Sequence, residues 1–207
     1  MPYLGNEVAP LVQALEGKEL KLDSDGDSSI QASTDDTVLF KTNNSTAMTI
    51  NSSSLILPKI PILQVNATDT DQSVSASTDT KVEWETVEID SLSGWSTSNH
   101  RYTPTVAGYY LVGGTIRCGL TGVNDFVSIA VSKNGFDTND AVDMLRGQLN
   151  HQSDTLESSS LPIPTGLMEM NGSSDFIEVF FRTDEACTLH NTAAPKSFFF
   201  AQLVHAT

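Results

Sequence analysis

Asp23-Ser24-Asp25-Gly26-Asp27 places three carboxylates within five positions. A hard cation such as calcium takes several carboxylate and carbonyl oxygens on a turning backbone. An EF-hand loop needs Gly at its sixth position and Glu at its twelfth. Counted from Asp23, Gly26 is fourth and Thr34 is twelfth, so the stretch reads as a polar turn between two strands. His100, His151, His190 and His205 lie far apart and show no ligand spacing, which is the pattern of loop histidines. An ion shared between identical copies is the sharper alternative. Trp84 precedes the segment 88–101 and Trp95 lies within it, and aromatic faces can stack on sugars. Trp84 alternates with Val82 and Val87 and reads as core. Trp95 stands among Ser, Gly and Asn and reads as exposed, which makes Trp95, Ser96, Asn99 and Asn124 the candidate receptor-contacting residues. The chain is rich in Ser and Thr but has no G-x-S-x-G, P-loop or dinucleotide fingerprint. No catalytic set, bound metal or cofactor is expected, and the chain does not read as an enzyme.

The charge balance narrows the partners. There are 11 Lys and Arg against 26 Asp and Glu, for a formal net charge of −15. A phosphate backbone is bound through Lys and Arg, so nucleic acid is excluded as a partner, and an anionic membrane surface is disfavoured for the same reason. Acidity of this size suits solubility at high copy number. The start MPYLGNEVAP has neither a basic region nor a sustained apolar run, so no secretory leader is expected. The apolar stretches are strand-sized, so no membrane insertion is expected. Cys118 and Cys187 do not make a disulfide framework; buried thiols or a single bridge both fit. The expected compartment is reducing.

Three zones differ in composition. In residues 1–20, Leu11 and Leu15 at i, i+4 predict a short helix over 10–20, marginal unless something covers its stripe. In 21–57, Asp, Ser, Thr and Asn dominate, and Ile30, Val38, Phe40, Met48, Ile50, Leu55 and Leu57 are spaced as period-2 strands. These are too few to build a monomeric core. The segment reads as an intertwined β stalk of three identical chains; a disordered acidic linker is the other reading. Residues 58–207 carry strand patterns at 81–89, 109–118, 126–133, 141–149, 161–168, 177–182 and 198–205. Asn134-Gly135 and Asn171-Gly172 are tight-turn signals. A chain corner at Ala107-Gly108 leads into the run from Tyr109, with Tyr109 expected in the core. The implied fold is mainly β, a sandwich or jelly roll.

Two resemblances sharpen this. Asp23, Asp25, Gly26, Asp27, Ser29, Ile30, then Asp35, Asp36, Val38, Phe40, Thr42, then Met48 and Ile50 resemble a phrase found in bacteriophage tail-fibre and virion structural proteins. Tyr102-Thr103-Pro104 with Ala107-Gly108-Tyr109-Tyr110 resembles the F-x-P-x-x-G-x-Y corner of complement C1q/tumour-necrosis-factor-like jelly rolls. Three further stretches are similar to the same family in the same order: 125–135, then Gly166, Met168, Gly172, Asp175 and Ile177, then the closing 197–203, with Ala201 where Gly is usual. The resemblance implies a C-terminal C1q/TNF-like jelly-roll head, homotrimeric and without a catalytic motif. The stalk and the short N-terminal helix precede it. Together the resemblances imply a homotrimeric phage virion protein assembled in the host cytoplasm. Its N-terminus, through Tyr3, Leu4, Leu11 and Leu15, attaches to other capsid or tail proteins. Head loops 92–99 and 119–125 face a host-surface glycan or protein. The alternative is a capsid decoration protein or head fibre without receptor recognition.

Overall fold

Thr, Val and Ile runs separated by Asx-rich turns favour extended chain with tight reversals, and the computed structural model is built that way throughout. It describes residues 19–67, 70–120, 125–136, 143–151, 156–191 and 196–207, and none of these is helical. The chain divides between Lys59 and Ile60 into two units.

The first unit is a meander of five antiparallel strands in chain order: β1 (Glu19–Lys21), β2 (Ser29–Thr34), β3 (Thr37–Thr42), β4 (Ser45–Asn51) and β5 (Leu55–Ile56). Its turns use residues that tolerate positive φ. Asn43 and Asn44 sit at φ 48° and 54° between β3 and β4. Asn51 Oδ1 accepts from the backbone N–H of Ser53 and Ser54 at 2.9 and 2.8 Å, fixing the last reversal. Ser29 is the only buried residue among those described in this unit. Leu20, Leu22, Ile50, Leu55, Ile56 and Leu57 are exposed. The sheet therefore pairs its strands with one another but has no core among the described residues. Of the helix expected over 10–20, only Glu19 and Leu20 are described, and they belong to β1. Glu19 is drawn into the sheet by Ser29, whose hydroxyl donates to its carboxylate, and by Lys41 at 3.5 Å. Tyr3, Leu4, Leu11 and Leu15 lie outside the described residues.

The second unit comprises β6 (Ile62–Ala67), β7 (Gln72–Val74), β8 (Thr80–Lys81), β9 (Trp84–Asp90), β10 (Trp95–Ser96), β11 (Arg101–Tyr102), β12 (Ala107–Leu120), β13 (Asp125–Lys133), β14 (Met144–His151), β15 (Leu156–Asn171), β16 (Ile177–Thr183), β17 (Cys187–Leu189) and β18 (Phe198–Ala206). One sheet runs β15, β12, β18, β6, β9, with β17 and β7 continuing it beyond the end of β18. The other runs β10, β11, β16, β13, β14, with β8 beside β16. Every pairing is antiparallel, and most neighbours are remote in sequence. The sheets face each other across a core that includes Leu63, Val65, Trp84, Tyr110, Val112 and Ile116 from the first, and Tyr102, Val127, Ile129, Val179 and Phe181 from the second. This is a jelly roll.

Register corrects two expectations. Tyr110, not Tyr109, faces the core: Tyr110 is 0% exposed and Tyr109 is 36% exposed. Alternation makes a one-residue slip swap the faces. Ala107 and Gly108 do not form a corner but already belong to β12. Gly108 at φ 149° and Gly114 at φ 152° let β18 approach closely, since a Cβ at either would collide with the carbonyl oxygen of His205 or Phe198. Trp84 is buried, as expected, and stacks on Phe199 at 6.3 Å, whereas Val87, an odd number of residues further along the edge strand β9, is exposed. Cys118 and Cys187 stand as thiols, and burial pushes Cys118 up to about 12.

Candidate functional site

Two surfaces of the jelly roll carry features that backbone pairing does not explain. The first is the outer face of the β15–β12–β18–β6–β9 sheet. With Tyr110 and Val112 inward, alternation turns Tyr109 and Leu111 outward. Leu111 pairs across β15 with Leu167, which is 56% exposed, and Gly113 pairs across β18 with the half-buried Phe200. Ile62 and Val204 are also exposed. A sheet with one face on the core ordinarily carries polar residues on the other. The second sheet carries Ser128, Ser132, Glu178 and Arg182 on its outer side, with Phe180 between the last two. Lys81 pairs with Glu178 at 2.6 Å and Arg182 with Asp79 at 3.0 Å. The two outer faces therefore differ: the second sets these ion pairs beside the packed rings of Phe136 and Phe180, and the first leaves apolar side chains exposed.

The second surface is the hairpin of β10 and β11, where the sequence placed its receptor candidates. Asp90 clamps its base, accepting from the N–H of Gly94 at 3.1 Å and of Trp95 at 2.8 Å. Trp95 pairs with Tyr102 across the hairpin, and Thr103 N–H donates to Gly94 O at 2.8 Å. At the tip, Asn99 Nδ2 donates to Ser96 Oγ at 3.0 Å, and Lys81 Nζ donates to Asn99 O at 3.3 Å. The structure brings Trp95, Ser96 and Asn99 together, but it corrects the expectation of an exposed indole. Trp95 is half-buried and packs on the core, with Nε1 shielded from solvent. Thr97, Ser98 and Asn99 are the exposed members of the tip. Asn124 lies outside the described residues, as does most of the loop 119–125; Gly119 and Leu120 complete β12.

The remaining candidates have definite settings. Asp23 Oδ1 accepts from Gly26 N at 3.0 Å and Ser28 N at 3.2 Å, and Gly26 takes φ 75°, so these bonds hold the polar turn. Hydrogen bonding led by Ser28 holds the Asp23 carboxyl below the usual range. Asp25 and Asp27 each bring a carboxylate oxygen within 4.8 Å of the other two ligand atoms. His190 Nδ1 faces Asp71 Oδ2 at 3.2 Å, and His205 lies against Tyr109. His100 closes the β10–β11 turn at φ 47°, beside Glu83 and Glu85. Sequence reasoning missed that grouping. Its signal was Glu83-Trp84-Glu85: a buried Trp84 forces both carboxylates to the same outer side.

No protein-family profile matches the chain, and no curated protein matches it in sequence. Solved structures do resemble it. Murine APRIL aligns at a TM-score of 0.50 with 18% identity, covering 70% of this chain and 100% of that one. The Eiger TNF of S. frugiperda aligns at 0.51 with 16% identity, covering 72% and 94%. The fold is the tumour-necrosis-factor-like jelly roll. The globular domain of zebrafish complement 1qA aligns at 0.47 with 10% identity, covering 72% and 100%, and adds nothing to that assignment.

Proposed function

We propose that the chain is a homotrimeric, fibre-type bacteriophage virion protein that acts by assembly and binding, without catalysis. Its N-terminal segment attaches it to capsid or tail proteins, and its jelly-roll head meets the host surface, a glycan or a protein. One observation carries the reading: apolar residues are left uncovered where a single chain has no use for them. In the first unit Leu55 is 60% exposed over a sheet without a core, and in the second the outer face bearing Tyr109, Leu111, Leu167 and Phe200 is open. Identical copies can cover both through symmetric contacts. The C1q/TNF resemblance supports three as the number, and the phrase from Asp23 to Ile50 supports a phage fibre. Trimerisation then multiplies weak contacts at the hairpin tip into avidity.

A second reading, capsid decoration or a head fibre without receptor recognition, is favoured by the inward turn of Trp95. That turn leaves the hairpin tip without an exposed aromatic anchor. Light scattering on the purified chain is expected to give the mass of three chains at micromolar concentration, and a monomer mass would sink the assembly reading. Gold-labelled antibody to the head then separates the rest. Label at the tail tip supports the adhesin, label over the shell supports decoration, and unlabelled particles refute a virion role.

A further inference from the structure

Trp84 is fully buried, so its neighbours Glu83 and Glu85 both project to the outer side of the chain entering β9. The β10–β11 turn brings His100 over the same spot. One ring nitrogen of His100 and one carboxylate oxygen from each glutamate lie within 4.8 Å of one another. Two like charges held this close repel unless a cation lies between or beside them. No ion pair joins Glu83 or Glu85 to a Lys or Arg among the described residues. Lys81, the nearest cation along the chain, is engaged instead by Glu178 at 2.6 Å and by the carbonyl of Asn99.

The setting of the imidazole supplies an independent pointer. His100 Nδ1 lies 3.4 Å from the carbonyl oxygen of Trp84. A proton on Nδ1 donated to that carbonyl leaves Nε2 to carry the lone pair. A backbone carbonyl orienting the far nitrogen is the arrangement that holds ligating histidines at metal centres. From these groups we propose that Glu83, Glu85 and His100 form a binding site for a divalent transition-metal ion of the zinc class. An imidazole with two carboxylates suits Zn²⁺ and its first-row neighbours; Ca²⁺ and Mg²⁺ prefer all-oxygen sets. Three protein ligands leave a tetrahedral ion one further position, open to water or to an oxygen of another molecule. The site lies at the tip of the hairpin, where His100 follows the exposed Thr97, Ser98 and Asn99. It follows from the head alone and does not depend on the virion assignment.

The test is calorimetric titration of the chelator-stripped full chain with ZnCl₂, followed by NMR of the histidine ring nitrogens. One Zn²⁺ per chain is expected at this site, shifting the His100 ring signals. His100→Asn should weaken that binding by about tenfold or more, because it removes the imidazole while Asn tolerates the positive φ. Glu83→Gln with Glu85→Gln should do the same on a surface that does not carry the fold. Thermal melting of both variants in chelator should match the parent, and Zn²⁺ should raise only the parent's midpoint. Three results overturn the proposal: no Zn²⁺ uptake by the parent, uptake unchanged in both variants, or Ca²⁺ binding at His100 as tightly as Zn²⁺.

Discussion

The adjacent tyrosines of β12 make the sharpest test of the register. Tyr110 is fully buried, packs edge-on against Tyr102 at 6.1 Å, and donates its hydroxyl to Val106 O at 2.8 Å. A buried aromatic of this kind removes roughly 150–250 Å² from water. At about 25 cal/mol per Å² that is worth roughly 4–6 kcal/mol, of which alanine retains a part. Tyr110→Ala should therefore cost about 3–5 kcal/mol. Tyr110→Phe keeps the ring and loses the bond to Val106, for about 1 kcal/mol. Tyr109→Ala touches a ring on the outer face and should cost the isolated head about 1 kcal/mol or less. Its main effect should fall on association. Urea unfolding at several protein concentrations reads both: the Tyr110 loss should be independent of concentration, and the Tyr109 loss should grow on dilution. A Tyr109→Ala loss as large as that of Tyr110→Ala, and insensitive to concentration, refutes the register and the outer-face argument together.

Two further outcomes follow from local geometry. Gly114→Ala should destabilise the head more than a surface substitution does, because its Cβ meets the Phe198 carbonyl; denaturation monitored by tryptophan fluorescence reads this. Asp175 lies 3.3 Å from Lys133. Burial acts to raise its carboxyl, but hydrogen bonds from Asn134 and Asn171 N and the charge of Lys133 outweigh burial and hold it below the ordinary 3.8. A depressed folded pKa adds stability that is complete above the unfolded pKa and is lost as pH falls through the folded one. The head should therefore lose stability below about pH 4, and Asp175→Asn should flatten that part of the pH profile in acid-unfolding curves.

The sequence made the long strands legible because their apolar residues alternate or run together, as in 177–182 and 198–205. Asn134 and Asn171 with their following glycines marked the ends of β13 and β15, and Trp84 could be assigned inward from Val82. The doublet Tyr109-Tyr110 could not be resolved, since two identical neighbours carry no alternation. The strands β7, β8, β10, β11 and β17 span only two or three residues each, too short to repeat an alternation. Trp95 misled because its neighbours are polar, while its own direction is set by pairing with Tyr102 and by Asp90. The grouping of His100 with Glu83 and Glu85 depends on a turn that closes over the chain entering β9, and spacing along the sequence cannot show that.

The place of β18 has a consequence for synthesis. It lies between β12 and β6, so the strand completing the middle of the first sheet comes from residues 198–206 and pairs with 62–67. A nascent chain that has emerged only through β17 holds β6 and β9 as a strand pair with no neighbour to bond it to β12. The sandwich then cannot close until translation has passed residue 206, and closure rests on contacts of very long sequence separation, which form slowly. Prematurely terminated chains lack the central strand, so they cannot contribute a finished subunit to an assembly. The topology thereby acts as a check on chain length before any partner is met.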